Sequence, residues 1–126
     1  MNISLPGAMG GEVDRVVAER GYASRSELVR EALRNFLAEE RWRLELKGEF
    51  LAVITVTYEA DHRGINDRLN RVQHQHEDII LTTIHNHLRE KCLVALFVRG
   101  TGDKIRELVA GLEVLGGVER VRVATA

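Results

Sequence analysis

The first 45 residues carry apolar positions at the spacing of one short strand and two helices. Asn2–Leu5 alternates polar and apolar side chains, which is the period of a half-buried strand. A first helix is predicted over Glu12–Arg20, where valines recur three and four positions apart, and Gly21 follows it as a helix-ending glycine. A second helix is predicted from the capping box Ser24-Arg25-Ser26-Glu27 to about Arg43. So short a segment cannot bury its own apolar face, and we expect it to dimerise.

The rest of the chain alternates between strand and helix patterns in the order βαββαβ. The predicted strands are Phe50–Tyr58, Ile79–Leu88, Lys91–Val98 and Val118–Ala124, and the predicted helices are Gly64–His74 and Asp103–Leu115. A split βαβ pair in this order is typical of the ferredoxin-like fold. The sequence therefore predicts an α+β protein with one domain over residues 1–45 and a second over residues 49–126.

Composition and charge narrow the functional classes. The chain is 44 % hydrophobic and 29 % charged, which is ordinary for a soluble globular protein. No apolar run approaches the roughly 18 residues of a membrane span, so no membrane partner is expected. The net charge of −1 excludes coating of nucleic acid by bulk positive charge, but not a small DNA-reading element. The single cysteine, Cys92, cannot form an internal disulfide and fits the reducing cytoplasm.

Metal-ligating residue types are concentrated between residues 74 and 92, which hold four of the five histidines and the only cysteine. His85 and His87 share one face of a predicted strand, since successive side chains alternate. A tight hairpin with a two-residue turn at Arg89-Glu90, or with a four-residue loop from Leu88 to Lys91, pairs His87 with Cys92. Two imidazoles and one thiolate then converge on one sheet face, a donor set that suits zinc, Ni(II) or Cu(II) depending on its geometry.

Two of these residue groups also have plain structural explanations. His85 and His87 are equally consistent with polar residues on an exposed strand, and Cys92 with a small core residue. A catalytic Cys/His pair is a weaker alternative, because no Asn or Asp lies at a suggestive spacing, and we expect no enzyme. Glu27 and Glu31, four residues apart, indicate either a solvated helix face or a weak cation site near the domain junction.

The N-terminal segment suggests a possible contact with DNA. If Asn2–Leu5 pairs with its copy as an antiparallel ribbon, Asn2 and Ser4 point outward together, and such a ribbon fits the major groove. The free N–H groups at Ser24 and Arg25 could hold a phosphate. Residues 1–44 carry seven basic and seven acidic side chains, whereas nucleic-acid binders are usually basic. A dimerisation module without a DNA role therefore stays open.

The chain resembles the nickel-responsive transcriptional regulator (NikR) family in three segments. These are Gly21-Tyr22-Ala23-Ser24-Arg25-Ser26-Glu27, Val72-Gln73-His74 before Glu77-Asp78-Ile79, and His85-Asn86-His87 followed by Cys92-Leu93. Their combination is specific and extends over nearly the whole chain. The resemblance implies a ribbon-helix-helix N-terminal module followed by a ferredoxin-like, ACT-type metal-sensing domain.

The resemblance also implies a metal, an assembly and a function. It implies one Ni(II) per chain at the interfaces between the effector domains of a homotetramer. His85, His87 and Cys92 match the ligands that one chain supplies, and His74 matches the ligand that another chain supplies. A protein of this kind represses nickel uptake in the cytoplasm by binding a palindromic operator DNA when nickel is bound.

Further positions match the family's DNA and cation contacts. Asn2 and Ser4 match base-reading positions of the ribbon, and Arg63 matches a position that touches DNA outside the operator half-sites. Glu27 and Glu31 match a weaker, secondary cation site. Two alternatives remain. One is a metal-binding module, a buffer or a sensor of another metal, with an impaired DNA-reading ribbon. The other is an ACT-type domain that binds an amino acid or other small molecule.

Overall fold

The computed structural model describes residues 3–126, and the chain divides into two compact units, one ending at Ala38 and the other beginning at Glu39. In chain order the elements are α1 (Gly7–Arg20), α2 (Arg25–Leu44), β1 (Glu49–Glu59), α3 (Ile65–Gln75), β2 (Ile80–Leu88), β3 (Lys91–Thr101), α4 (Gly102–Glu113) and β4 (Val118–Thr125). Within residues 3–126, no helix is long and apolar enough to cross a membrane.

Helix α1 begins at Gly7, five residues before the predicted start at Glu12. Pro6 precedes it as the N-cap, and the Gly10 N–H donates to the Pro6 carbonyl at 2.9 Å. The low helix propensity of Gly10 and its glycine neighbour is overridden here, and Gly10 is buried. At the other end Gly21 adopts the left-handed conformation with φ 73°, which confirms the predicted helix-ending glycine.

The predicted ribbon strand is not formed in the single chain. Ile3, Ser4 and Leu5 have no strand structure, and Asn2 lies outside the described residues. The predicted strand is therefore absent over residues 3–5 of the single chain, and the ribbon between two chains stays a prediction. The physical reason is that a ribbon strand completes its backbone hydrogen bonds with a second chain, and a single copy offers no such partner.

Helix α2 begins with the predicted capping box. The Ser24 hydroxyl accepts a hydrogen bond from the Glu27 N–H at 3.2 Å, and the Glu27 carboxylate accepts one from the Ala23 N–H at 2.6 Å. The apolar stripe of this helix is largely uncovered, and Phe36 is 57 % exposed. From residue 3 to Ala38 only Gly10 is buried. This unit has no core of its own, as expected for a module that folds as a dimer.

The C-terminal unit confirms the ferredoxin-like prediction. Its four antiparallel strands lie in the order β2-β3-β1-β4, so β2 and β4 form the edges of the sheet. The element order βαββαβ is the predicted one, and most element ends lie within one to three residues of the predicted positions. The register of β2 on β3 shifts between Ile80 and Thr82, where a bulge interrupts the edge strand.

One face of the sheet is buried and the other is open. On the buried face, alternate residues of β1 and β3 pack against α3 and α4; they are Ala52, Ile54, Val56 and Tyr58, and Cys92, Val94, Leu96 and Val98. The open face carries partly exposed apolar side chains, namely Leu51, Leu81, Ile84, Leu93 and Phe97. Together these last five residues are called the open sheet face below.

The last turn of α2 belongs to the C-terminal unit. The Trp42 side chain is buried in its core cluster. A Cβ on Gly102, at the start of α4, would lie 2.4 Å from the Trp42 carbonyl oxygen and 2.5 Å from that of Glu45. The Gly102 N–H donates to the Gly48 carbonyl at 3.0 Å. The two backbones can approach this closely because residue 102 has no side chain.

Candidate metal centre

The β2–β3 hairpin has the predicted register. Leu88 pairs with Lys91 and His87 with Cys92 across a two-residue turn at Arg89-Glu90. The turn places Arg89 at φ 56°, a left-handed conformation that two-residue hairpins require of their first central residue. Since residues directly opposite each other share a sheet face, His87 lies on the same face as the buried Cys92.

His85 lies one step further along the same face of β2. It pairs with Val94, the next buried residue of β3 after Cys92. Cys92 is only 4 % exposed, whereas the histidines of β2 are exposed because β2 is an edge strand. The hairpin therefore presents two imidazoles at a solvent-accessible margin beside a buried thiol.

The side chains of this group are not gathered at metal-binding distance. Over residues 3–126, no three His, Cys, Asp or Glu side chains are placed to hold a metal ion together. The expectation that His85, His87 and Cys92 converge is thus met by their strand register but not by the positions of their donor atoms. The Nε2 of His85 lies 3.4 Å from the hydroxyl of Tyr58. The His85 ring is turned toward β1.

Tyr58 is a functional candidate that the sequence reasoning missed. It ends the buried row of β1, is 1 % exposed, and pairs directly with Cys92. Its hydroxyl also lies 3.3 Å from the side-chain oxygen Oδ1 of Asn66 on α3. Burial and the neighbouring Cys92 sulfur raise the pKa of Tyr58, so its hydroxyl keeps its proton at neutral pH. The sequence did contain one indication of this role. Tyr58 occupies one of the alternate positions of β1 that are buried, and a buried phenol hydroxyl needs a polar partner.

His74 lies apart from the hairpin residues. It occupies the last turn of α3, its side chain is 81 % exposed, and its Nδ1 lies 3.3 Å from a carboxylate oxygen of Glu77. The neighbouring His76 is half-buried and its Nδ1 contacts the Val72 carbonyl at 2.9 Å. The exposed imidazole of His74 is thus open to a second molecule, whereas that of His76 is used within α3.

The donor set of the hairpin fits a nickel ion. A thiolate and neutral imidazoles are ligands that Ni(II) accepts, and the cross-strand pairing brings one of each side by side. Three donors from one chain leave a position for a fourth, which an exposed imidazole such as His74 can supply from another chain.

The predicted phosphate-binding residues of the N-terminal unit have partners in this structure. The Arg25 guanidinium makes two hydrogen bonds of 2.6 Å to the Asp14 carboxylate, and this contact lowers the pKa of Asp14. The Ser24 hydroxyl caps α2. Ser4 and Arg63 are exposed, and Arg63 lies in the loop between β1 and α3.

The two carboxylates of the predicted cation site are also partnered. Glu27 caps the start of α2 through the Ala23 N–H. Glu31 accepts a hydrogen bond from the Tyr22 hydroxyl, and that bond raises the pKa of Tyr22. A cation at this position would have to compete with both of these contacts.

Comparison with known proteins places both units in described families. The profile of the "NikR C terminal nickel binding domain" matches residues 51–126, and that of the "Ribbon-helix-helix protein, copG family" matches residues 2–40. Both matches agree with the fold that the sequence resemblance implied.

Relatives of similar length match the whole chain. A protein of Methanocaldococcus jannaschii named "Putative nickel-responsive regulator" is 39 % identical over 98 % of this chain and 89 % of its own length. A protein of the same name from Methanocella arvoryzae is 34 % identical over 99 % of this chain and 90 % of its own length.

Solved structures match the C-terminal unit. The ACT domain of the GTP pyrophosphokinase of Chlorobium tepidum superposes with a TM-score of 0.50 and 26 % identity, over 61 % of this chain and all of that one. An uncharacterized protein of Thermotoga maritima superposes with a TM-score of 0.57 and 21 % identity, over 62 % and 98 % of the two chains. With an N-terminal ribbon-helix-helix match and an ACT-like nickel-binding domain, the chain belongs to the nickel-responsive regulator (NikR) family.

Proposed function

We propose that this chain is a nickel-dependent repressor of nickel uptake, in which Ni(II) bound by the C-terminal units controls operator binding by the N-terminal units. The observation that carries the proposal is the pairing of His87 with Cys92, with His85 on the same face of the edge strand. The proposed ligands are His85, His87 and Cys92 of one chain and His74 of another, for one Ni(II) per chain. The lone thiol is suited to the reducing cytoplasm, where we place the protein.

The roles of the ligands follow from where the fold places them. The buried Cys92 supplies the thiolate from the rigid interior strand β3, and the edge-strand histidines approach it from the solvent side. His74 extends into solvent from α3 and is free to reach across an interface. When bound, Ni(II) supplies a positive charge and fixed coordination directions that hold residues of two chains together.

A homotetramer accounts for the two uncovered apolar surfaces. In the N-terminal unit the stripe containing Leu33, Phe36 and Leu37 is exposed, and a second copy of α2 would cover it. In the C-terminal unit the open sheet face is exposed as well. Two interfaces on one chain generate a dimer of dimers.

DNA recognition is proposed for the paired N-terminal units. Asn2 and Ser4 would read base edges from a two-stranded ribbon, and a dimer of such ribbons requires a palindromic operator. The start of α2, at Ser24 and Arg25, would hold a phosphate, and Arg63 would contact DNA beyond the half-sites. The Arg25 guanidinium is already held in one orientation by Asp14, with more than half of its side-chain surface exposed.

A mobility-shift assay tests the proposal. The full chain is titrated onto a palindromic DNA fragment from a nickel-uptake promoter, with and without Ni(II), at two salt concentrations. We expect tight, salt-sensitive binding only with Ni(II), because phosphate contacts release counterions. The variant Cys92→Ala should lose the nickel response. Equal binding with and without Ni(II) would contradict metal control of DNA binding.

A metal-binding module with an impaired DNA-reading ribbon is the second candidate. It is favoured by the pairing of Arg25 with Asp14 and by the zero net charge of residues 1–44. This candidate predicts stoichiometric nickel binding together with DNA binding that is weak and indifferent to the metal. The same titration therefore separates the two functions.

A further inference from the structure

We propose that Tyr58 and Asn66 form a hydrogen-bonded relay that positions His85, a ligand of the proposed metal centre. The proposal rests on the proposed function, since it concerns a residue assigned to that centre. It makes Tyr58 a positioning residue, which acts on the metal through the imidazole of His85 and contributes no ligand itself.

The first support is the place of Tyr58 in the sheet. Tyr58 of β1 pairs with Cys92 of β3, which in turn pairs with His87 of β2. These three residues form one row across the sheet on its buried face. The Tyr58 ring fills the interior end of this row and reaches diagonally to His85 on the edge strand, with ring centroids 6.1 Å apart. The phenol therefore stands behind the proposed ligands, on the side away from solvent.

The second support is the number of groups that compete for the imidazole. Within residues 3–126, the His85 ring has one hydrogen-bond partner, which is the Tyr58 hydroxyl. The residue paired with His85 is Val94, which offers no polar side-chain atom. The Tyr58 hydroxyl is therefore the polar group that the side-chain neighbours of His85 offer to its imidazole.

The direction of the relay follows from its chemistry. The side-chain oxygen of Asn66, Oδ1, is an acceptor only, so the Tyr58 hydroxyl donates its single proton to that oxygen. The lone pairs of the phenol oxygen then accept the Nε2–H of His85. With Nε2 protonated, the neutral imidazole carries its free lone pair on Nδ1, and Nδ1 is the nitrogen presented to a metal.

The third support is that the relay joins β2 to the helix that bears His74. Asn66 lies in the first turn of α3, and Gln73 near its end accepts a hydrogen bond of 3.2 Å from the Thr83 hydroxyl of β2. Between these two links lies a cleft of about 270 Å³, lined in part by Asn70 and Leu69. Hydrogen-bonded contacts thus join α3 to the strand β2 at both ends of the cleft, and the relay is one of these two contacts.

The test uses Tyr58→Phe in the full chain, with Tyr22→Phe, the other tyrosine of the protein, as the matched control. In the metal-free protein, nitrogen-15 NMR of the histidine rings reports the tautomer of His85. We expect the Nε2–H form in the wild type and a mixture of forms in Tyr58→Phe. Competition titration with Ni(II) should then show about tenfold weaker binding by Tyr58→Phe, as is typical when a ligand loses its outer hydrogen bond.

A second variant protects the test against a loss of packing at Tyr58. Asn66→Ala keeps the phenol and should shift the His85 tautomer in the same direction, and the double variant should add little to either single change. Unchanged His85 spectra in both variants would overturn the relay. If the His85 tautomer shifts in both variants but the wild-type chain binds no Ni(II), the relay is upheld and the proposed nickel function is contradicted.

Discussion

His87 lies directly opposite Cys92 across the β2–β3 ladder, and this pair is the second one from the two-residue turn. The cross-strand distance in such a pair is about 4.5–5.5 Å between Cβ atoms, which is within reach of a shared metal ion. The thiol is buried and the imidazole is exposed, so the pair joins the core of the C-terminal unit to its solvent-facing margin.

Removing the thiol should abolish the charge-transfer signature of the metal centre. In an absorbance titration of metal-free protein with Ni(II), the wild type should saturate at one ion per chain with a sulfur-to-nickel band. Cys92→Ala should show no such band, because the band requires a thiolate ligand. A band of equal intensity in Cys92→Ala would show that the sulfur of Cys92 does not bind the metal. The chain has no other cysteine to replace it.

A charge on the apolar stripe of α2 should break the N-terminal pairing. Phe36→Glu places a carboxylate where a second copy is expected to pack, and burying an unpaired charge there is unfavourable. By sedimentation velocity we expect a smaller assembly than the wild type. Arg34→Glu, an exposed neighbour with a larger change in charge, should leave the assembly intact. Identical sedimentation of Phe36→Glu and wild type would remove this stripe from the interface.

A methyl group at Gly102 should destabilise the C-terminal unit. The added Cβ would meet backbone carbonyl oxygens of Trp42 and Glu45 at 2.4 and 2.5 Å, and backbone cannot yield as a flexible side chain can. We expect Gly102→Ala to lose about 2–3 kcal/mol in urea unfolding, at the upper end of overpacking costs.

Gly111→Ala is the control for this overpacking, because it makes the same change in the same helix. Its nearest neighbour would be the Val72 Cγ1 at 3.4 Å, an ordinary contact. Alanine is the better helix former, so this variant should be neutral or slightly more stable. Equal effects of the two substitutions would show that the close approach at Gly102 does not limit stability.

The ion pair of Lys91 with Glu119 should give a pH-dependent contribution to stability. The Lys91 ammonium, 2.5 Å from the Glu119 carboxylate, lowers the pKa of Glu119, and Glu119 raises the pKa of Lys91. A lowered carboxyl pKa stabilises the fold above its unfolded value, and this stabilisation is lost as the pH falls through the folded value. The stability difference between wild type and Glu119→Gln should therefore be constant near neutral pH and shrink below about pH 4.3, the ordinary value for glutamate.

The Lys91→Met background isolates this pair. Without the ammonium, Glu119→Gln should produce a smaller pH-dependent difference across the same acidic range, since the largest cause of the lowered pKa has been removed and only the hydrogen bond with Glu59 still lowers it. Chemical unfolding at a series of pH values provides the measurement. A difference that persists unchanged in the Lys91→Met background would assign it to another partner of Glu119.

Much of the C-terminal fold was predictable because its signals are local. The alternation of β1 and the βαββαβ order predict the strands and helices, and either a two-residue turn or a four-residue loop between β2 and β3 pairs His87 with Cys92. Two features of the N-terminal unit were less accessible. The ribbon strand needs a second chain, and α1 extends through Gly10 although glycine propensity predicts a later start.

The arrangement of the candidate site was predictable only in part. The shared face of His85 and His87 follows from the strand period. The contact of His85 with Tyr58 does not follow from it, because Tyr58 lies 27 residues earlier in the chain and β3 separates β1 from β2 in the sheet. Contacts between such distant residues depend on the strand order of the whole sheet, and the spacing of residues along the chain does not reveal that order.

The two-residue turn at Arg89-Glu90 has a consequence for how sequences of this kind can vary in length. The pairing of β3 with β1 holds Cys92 on the buried face, so a one-residue insertion at the turn would either lengthen the loop or shift the edge strand β2 relative to Cys92. The Ala60 N–H, which donates to the Glu90 carbonyl at 2.7 Å, also anchors the turn to the end of β1. A change of length at this tip therefore keeps the proposed ligands on one face only where the loop itself takes up the difference.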